Sequence, residues 1–222
     1  MKRKLIVAVM AFLLPVGLMA QGKWERPVTQ DNTPKKEKKE KVTKKQKAQL
    51  DKKYMVENAV PVVDGKVEWV LELDVPGSTA QSNYDKLLAF LTDFVKENNQ
   101  LENSSVSVVN KQEHKIAASI REWLVFNSNF ISIDRTQFQY TILAECYDNH
   151  VKVTLCRIKY YYDERPNKTT LYAAEELIID KEAMNKARTK LVRPGAKFRR
   201  KTIDRKDEVF NRIKDCLLKD NG

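Results

Sequence analysis

Two histidines, three cysteines and six glycines in 222 residues leave little material for the commonest catalytic constellations. His114 and His150 stand 36 positions apart, neither with a second histidine or a carboxylate at ligand spacing, so no metal site is expected. The glycines form no phosphate-binding loop and no Gly-x-Ser-x-Gly elbow, and no cofactor is implied. Cys146, Cys156 and Cys216 are odd in number and lack metal-ligand spacing, so they read as small core or half-buried residues. Acidic pairs such as Glu175-Glu176 and Asp163-Glu164 are read as solvated surface charge.

What is present begins at the first residue. Lys2-Arg3-Lys4 precedes an apolar run from Leu5 to Met19, and Ala20 precedes a polar Gln21. That layout predicts a secretory signal peptide over 1–20, although Leu18 is larger than the usual residue three before the cut. The run is shorter than the ~20 apolar residues of a membrane span, and no cysteine near the cut offers a lipid anchor. A soluble exported protein follows, periplasmic or envelope-associated, with no span after signal removal.

The net charge of +11 suggests nucleic acid until its distribution is read. Residues 21–53 carry twelve basic against five acidic groups and almost no apolar residues, which predicts a basic low-complexity linker. Residues 54–180 net −7 and residues 181–206 net +9. An acidic body with basic attachments, exported from the cell, is a poor nucleic-acid binder.

Residues 54–222 are long enough for one domain with a sizeable core. Val67, Trp69, Leu71 and Leu73 alternate with polar partners and predict a strand; Pro76-Gly77 ends it. Ser78 with Gln81 has the form of a capping box, opening a helix through Tyr84, Leu87, Leu91 and Phe94. Strands are expected around Val106 and Val108, and over Ile116 to Arg121. Residues 122–135 read as a packed connection, in which Asp134-Arg135 takes a structural turn role.

Phe138–Tyr147 and His150–Tyr162 form a hairpin around Asp148-Asn149, placing Cys146 and Cys156 on opposite faces and out of disulfide register. In Tyr160-Tyr161-Tyr162 the outer two pack inward and the middle one edges the sheet. A loop at 165–168, a short helix over 173–179 and a second from Asp180 through Leu191 follow. Pro194-Gly195 ends that element, and KFRRKTIDRK leads into a last helix. Alternation with one buried face and covering helices gives an α+β fold with an antiparallel sheet.

The signal, the lysine-rich spacer, AVPVVDGKVEWVLELDVPGSTAQSNYDKLLAFL, EWLVF with DRTQFQYTILAEC, and IKYYY together resemble a secreted bacterial domain-of-unknown-function family with a TATA-box-binding-protein-like (TBP-like) fold. The resemblance spans roughly 59–218 and implies a curved antiparallel sheet with helices on one face. It implies no activity, and a fold name carries no DNA binding with it.

The expected function is a non-catalytic envelope binding or interaction module. Its partner is an envelope protein or an anionic surface component, met through the outer sheet face or the basic tail. A hydrolase or transferase with an unrecognised site, or a carrier of an apolar ligand, is the alternative. Arg199, Arg200 and Lys201 are the candidate partner contacts, in a segment 193–206 part of which is expected to lie near the acidic outer face of Glu68, Glu72, Asp74 and Glu145 or its rim. Intact-mass measurement of the exported protein is expected to give a chain beginning at Gln21; a membrane-bound form retaining residues 1–20 overturns the signal reading.

Overall fold

Alternating burial, rung after rung, is what shapes this protein. The computed structural model describes residues 51–128, 133–165 and 168–219. The signal and nearly all of the spacer lie outside the described residues, as do Phe130, Ile131, Pro166 and Asn167.

A 3-10 turn, Asp51–Tyr54, is followed by a small ladder of β1 (Val62–Val63) and β2 (Lys66–Val67). Then come β3 (Trp69–Asp74), helix α1 (Ala80–Phe94), β4 (Ser105–Asn110), β5 (Lys115–Ser128), β6 (Ile133–Tyr147), β7 (His150–Arg165) and β8 (Lys168–Ala173). Short helices α2 (Ala174–Leu177) and α3 (Asp180–Ala183) lead to the long α4 (Gly195–Leu218). The antiparallel sheet runs β3-β7-β6-β5-β4. On the edge of β7 away from β6, β3 pairs with 150–155 and β8 with 159–165.

Ile116, Ala118 and Ile120 of β5 face inward with Ile142 and Ala144 of β6 and Val151, Val153 and Leu155 of β7. Leu87, Leu91 and Phe94 of α1 and Phe198, Val209, Ile213 and Leu217 of α4 close over them in one core. Each such side chain contributes roughly 1.5–3 kcal/mol on full burial, so the helical layer is held by its apolar stripe. The fold is α+β, with its helices gathered on one face of the sheet.

The Asp148-Asn149 hairpin forms as expected, with Tyr147 opposite His150 and Asn149 at a φ of 60°. The same turn fastens the helix entry. The Gly77 amide donates to Asn149 Oδ1 and the Ala80 amide to Asp148 Oδ1, both at 2.7 Å. Helix α1 is capped by Thr79, whose hydroxyl accepts from the Ser82 amide, rather than by Ser78. The Ser78 hydroxyl is drawn away because it donates to the Val75 carbonyl and accepts from Asn83.

Four other expectations are corrected. The connection over 122–135 is strand at both ends, because alternation continues through Glu122 and Leu124, both buried. Strand β8 was not foreseen. The helix expected from Asp180 to Leu191 stops at Ala183; the Asn185 side chain accepts the Thr189 and Lys190 amides, and Met184 bridges Leu191. Order also begins within the last residues of the expected 21–53 linker, since Asp51, Lys53 and Tyr54 are tied to α4 through Arg200, Asp204 and Arg199.

Gly195 does not end an element; it starts α4, where the helix passes beneath α2 and α3. A Cβ there would lie 2.1 Å from the Leu177 carbonyl oxygen and 3.1 Å from Ala183 Cα. Backbone cannot yield as a side chain does. Gly195→Ala is therefore expected to lower unfolding stability by about 1–3 kcal/mol in urea titrations; an unchanged midpoint contradicts the close approach.

Candidate functional site

The basic segment of α4 is the place to begin, because its charge was the strongest functional signal. Little of it is free. Arg199 is fully buried, its Nε donating to the Tyr54 carbonyl at 2.7 Å, its Nη1 to the Ile178 carbonyl at 2.6 Å, and its Nη2 lying 2.8 Å from Asp180. Arg200 makes a two-pronged pair with Asp51 at 2.6 and 2.7 Å. Of the three candidate contacts, Lys201 alone is exposed. The sequence concealed this, since Asp51, Asp180 and Tyr54 lie far from the segment along the chain.

The segment also lies on the helical side of the sheet, away from the acidic outer face. Its partners are inward carboxylates. Lys197 donates to Asp134 at 2.8 Å and to the Tyr162 hydroxyl at 2.7 Å, with its ammonium 4.2 Å from the Tyr162 ring centre and 4.6 Å from that of Phe126. Arg205 grips Glu122 with both prongs, 2.8 and 2.7 Å. Glu122 is 1% exposed and also accepts from Tyr140, Asn99 and Gln100, each at 3.1 Å. Burial works against the Arg205 charge, but the hydrogen bonds and charge of Glu122 outweigh it and hold the guanidinium above its ordinary range. Burial, then Glu122, likewise raises the Tyr140 hydroxyl well above the usual phenol value. These groups are saturated. Neither the Arg205 guanidinium nor the Tyr140 hydroxyl is poised to move a proton at neutral pH.

Other sequence candidates resolve similarly. Asp134 and Arg135, expected in a turn, lie instead within β6, where neighbouring residues project to opposite faces, Asp134 to Lys197 and Arg135 to Trp123. Cys146 lies opposite Val151 and Cys156 opposite Thr141, so the two thiols sit on opposite faces and form no disulfide with each other. Burial pushes the Cys146 thiol up to about 12, which removes it as a nucleophile at neutral pH. His114 packs edge-on against Tyr84. His150 bridges Asp74 at 3.0 Å and Glu72 at 2.7 Å, and these two hydrogen bonds raise its pKa. Among the described residues no cluster of three or more His, Cys, Asp or Glu could hold a metal ion.

The second face of the sheet has a different character, for no described element packs across it as α1 and α4 pack across the first. Its outward residues form rungs across the strands. Near the hairpin turn the rungs are ionic and internally paired: Glu72 and Asp74 hold His150, and Tyr147 donates to Glu145. In the next stretch Ala117, Leu143, Thr154 and Val70 align as an apolar row, with Val70 47% exposed.

At the far end, Trp123, Gln137 and Tyr161 share one rung, and Arg121, Gln139 and Lys159 another. Arg135 stacks on Trp123 with its guanidinium carbon 3.7 Å from the ring centre. Tyr160 turns inward to Phe138 and Phe198 while Tyr161 faces out, as expected for that run of three tyrosines. Among the described residues neither Arg121 nor Lys159 has a side-chain partner.

Comparison with known proteins agrees with this architecture. A family model described as a domain of unknown function (DUF4468) with TBP-like fold matches residues 69–161. The crystal structure of a DUF4468 family protein from Bacteroides ovatus is similar at 38% identity and a TM-score of 0.70, covering 75% of this chain and 94% of that one. A TBP-like protein from Parabacteroides distasonis, at 22% identity and a TM-score of 0.60, covers 72% of this chain and 97% of that one, and shows the fold alone. No curated protein matches.

The buried pair gives the sharpest test of the helix-side chemistry. Glu122→Gln leaves the nearly dry Arg205 with only the exposed Glu208, 2.6 Å away, as counter-charge, and is expected to cost about 3 kcal/mol in urea denaturation. Arg205→Met added to Glu122→Gln should recover part of that loss; a single substitution costing nothing would show the pair to be solvated.

Proposed function

Since the chain belongs to the DUF4468 family of TBP-like fold, whose description assigns no reaction, we propose that it is an exported, non-catalytic module that holds an envelope partner on the uncovered face of its sheet. The observation that carries this reading is the contrast between the two faces. On the helical side the charges of α4 are spent on Glu122, Asp134, Asp180 and Asp51. On the other side an apolar row and a cluster of unpaired donors face outward. Antiparallel sheets commonly leave one face to water, but solvent alone does not call for an apolar row on the same face as unpaired cations and two aromatic rings.

An enzymatic role has less support. The described titratable groups with raised pKa values are tyrosines that are buried or hydrogen-bonded to a carboxylate, buried thiols, paired cations, or the surface bridge at His150. They do not converge on one cleft as acid and base partners do. Export is part of the proposal and rests on the first twenty residues. The basic segment of α4 offers a partner only Lys201 of the three residues first considered.

Sedimentation of the purified exported chain with isolated cell envelopes tests the reading. Leu143→Glu, placed in the middle of the apolar row, is expected to weaken association about tenfold or more, with melting temperature monitored to confirm folding. Lys201→Glu should leave association unchanged. If Lys201→Glu abolishes it while Leu143→Glu does not, the open face is not the docking surface.

A further inference from the structure

The far end of the open face has a chemistry of its own. Resting on the docking role proposed above, we infer that the rungs Trp123–Gln137–Tyr161 and Arg121–Gln139–Lys159 form a binding platform for a carboxylate-bearing saccharide. Trp123 and Tyr161 lie on one rung with the β6 strand between them. Two strand spacings put their backbones roughly 10 Å apart, the order of separation between the first and third rings of an extended oligosaccharide. Flat aromatic side chains on a rigid sheet present apolar faces against which the C–H faces of sugar rings stack. Gln137 stands between the two aromatic positions and Gln139 between the two cationic ones, and both offer donors and acceptors, as hydroxyl-rich ligands require.

The charge defines the rest of the ligand. Arg121, Lys159 and Arg135 surround the two rings on this face, and no described carboxylate neutralises Arg121 or Lys159. Arg135 lies flat on Trp123, an arrangement that leaves the rim of its guanidinium N–H groups directed away from the ring. A planar fork of this kind matches a carboxylate by two parallel hydrogen bonds. The hairpin end differs, because its outward cations have carboxylates at hand: His150 is paired with Glu72 and Asp74 and Lys115 with Glu113, and Lys152 stands across the ladder from Glu72 and Glu145. Leaving three cations beside two aromatic rings unmatched is the complement of an anionic, ring-bearing ligand.

Single-stranded nucleic acid also combines rings with negative charge, so it serves as a competing probe. Isothermal titration of the full exported chain with trigalacturonate, maltotriose and a short single-stranded DNA oligomer decides the matter. Short probes limit the contribution of the lysine-rich spacer. Trigalacturonate is expected to bind and maltotriose to bind about tenfold or more weaker. Trp123→Ala and Arg121→Gln should each weaken trigalacturonate about tenfold, whereas Trp123→Phe, which keeps a stacking face, should retain most of the affinity, and Lys201→Gln all of it. A melting curve for each variant separates lost binding from lost fold.

The inference is overturned if maltotriose binds as well as trigalacturonate, if the DNA oligomer binds more tightly, or if the wild-type chain shows no trigalacturonate binding. Envelope association that still depends on Leu143, without any trigalacturonate binding, removes the saccharide inference and leaves the docking role standing. Loss of both removes both.

Discussion

A carboxylate that is 1% exposed on the covered face of a sheet must have its lone pairs filled, and Glu122 obtains that from five donors. Two of these come from Arg205 on α4, one from Tyr140 on β6, and two from Asn99 and Gln100 in the segment between α1 and β4. A hydrophobic stripe is tolerant of sliding and rotation. A two-pronged ion pair is not, because both prongs fit at one translation and one rotation of the helix. The apolar core holds α4 against the sheet, and Glu122 fixes where along the sheet it rests. Arg212, one register further along α4, repeats the device on Glu97 and spreads its guanidinium over Phe94.

That arrangement explains the uneven charge of the chain. The segment from 181 to 206 nets +9, which reads as an external attachment. In the fold its arginines serve as internal fasteners: Arg199 to the Tyr54 and Ile178 carbonyls and Asp180, Arg200 to Asp51, Arg205 to Glu122. The acids they meet come from the turn before β1, from the sheet and from α3. Asp51 and Glu122 are remote in sequence and Asp180 stands just outside the segment, so the local excess of one sign is largely the trace of pairing with acids outside it. Arginine suits the task better than lysine, since its planar fork serves a carboxylate and main-chain carbonyls together.

The elements that were legible in the sequence are those governed by local rules. The period-2 pattern of β3, β5 and the β6–β7 hairpin, the Asp148-Asn149 turn and the helical stripe of α1 each follow from residues within a few positions. The resemblance added the sheet-with-helices arrangement. What was misread turns on tertiary partners. Glu122 looked like the end of an apolar pattern because a buried carboxylate is costly unless Arg205 is known to face it. Ala183, Met184, Ala187 and Leu191 kept a helical spacing, but the Asn185 side chain captures two amides and closes a turn there. Strand β8, KTTLYA, is too short to declare itself without the β7 edge it pairs with. Of the candidate surface, Trp123 was seen as packed and Tyr161 as edging the sheet, yet their shared rung depends on a register the sequence did not reveal.

That register hangs on one residue. Between Gln139–Lys159 and Thr141–Cys156 strand β7 carries one residue more than β6, and Arg157 takes a φ of 56° at the insertion. Before it the odd positions Val151, Val153 and Leu155 face the core; after it the even positions Ile158 and Tyr160 do. A bulge reverses parity in this way because side chains alternate with a period of two. With unbroken parity Lys159 and Tyr161 would point into the core, and Tyr160 would lose both its stack on Phe138 and its 2.7 Å hydrogen bond to Thr202. The same break divides the outer edge of β7, where β3 pairs up to Leu155 and β8 takes over from Lys159. The aromatic core beneath α4 and the cationic, aromatic platform on the open face are thus set by a single inserted residue, so neither face can change register without the other.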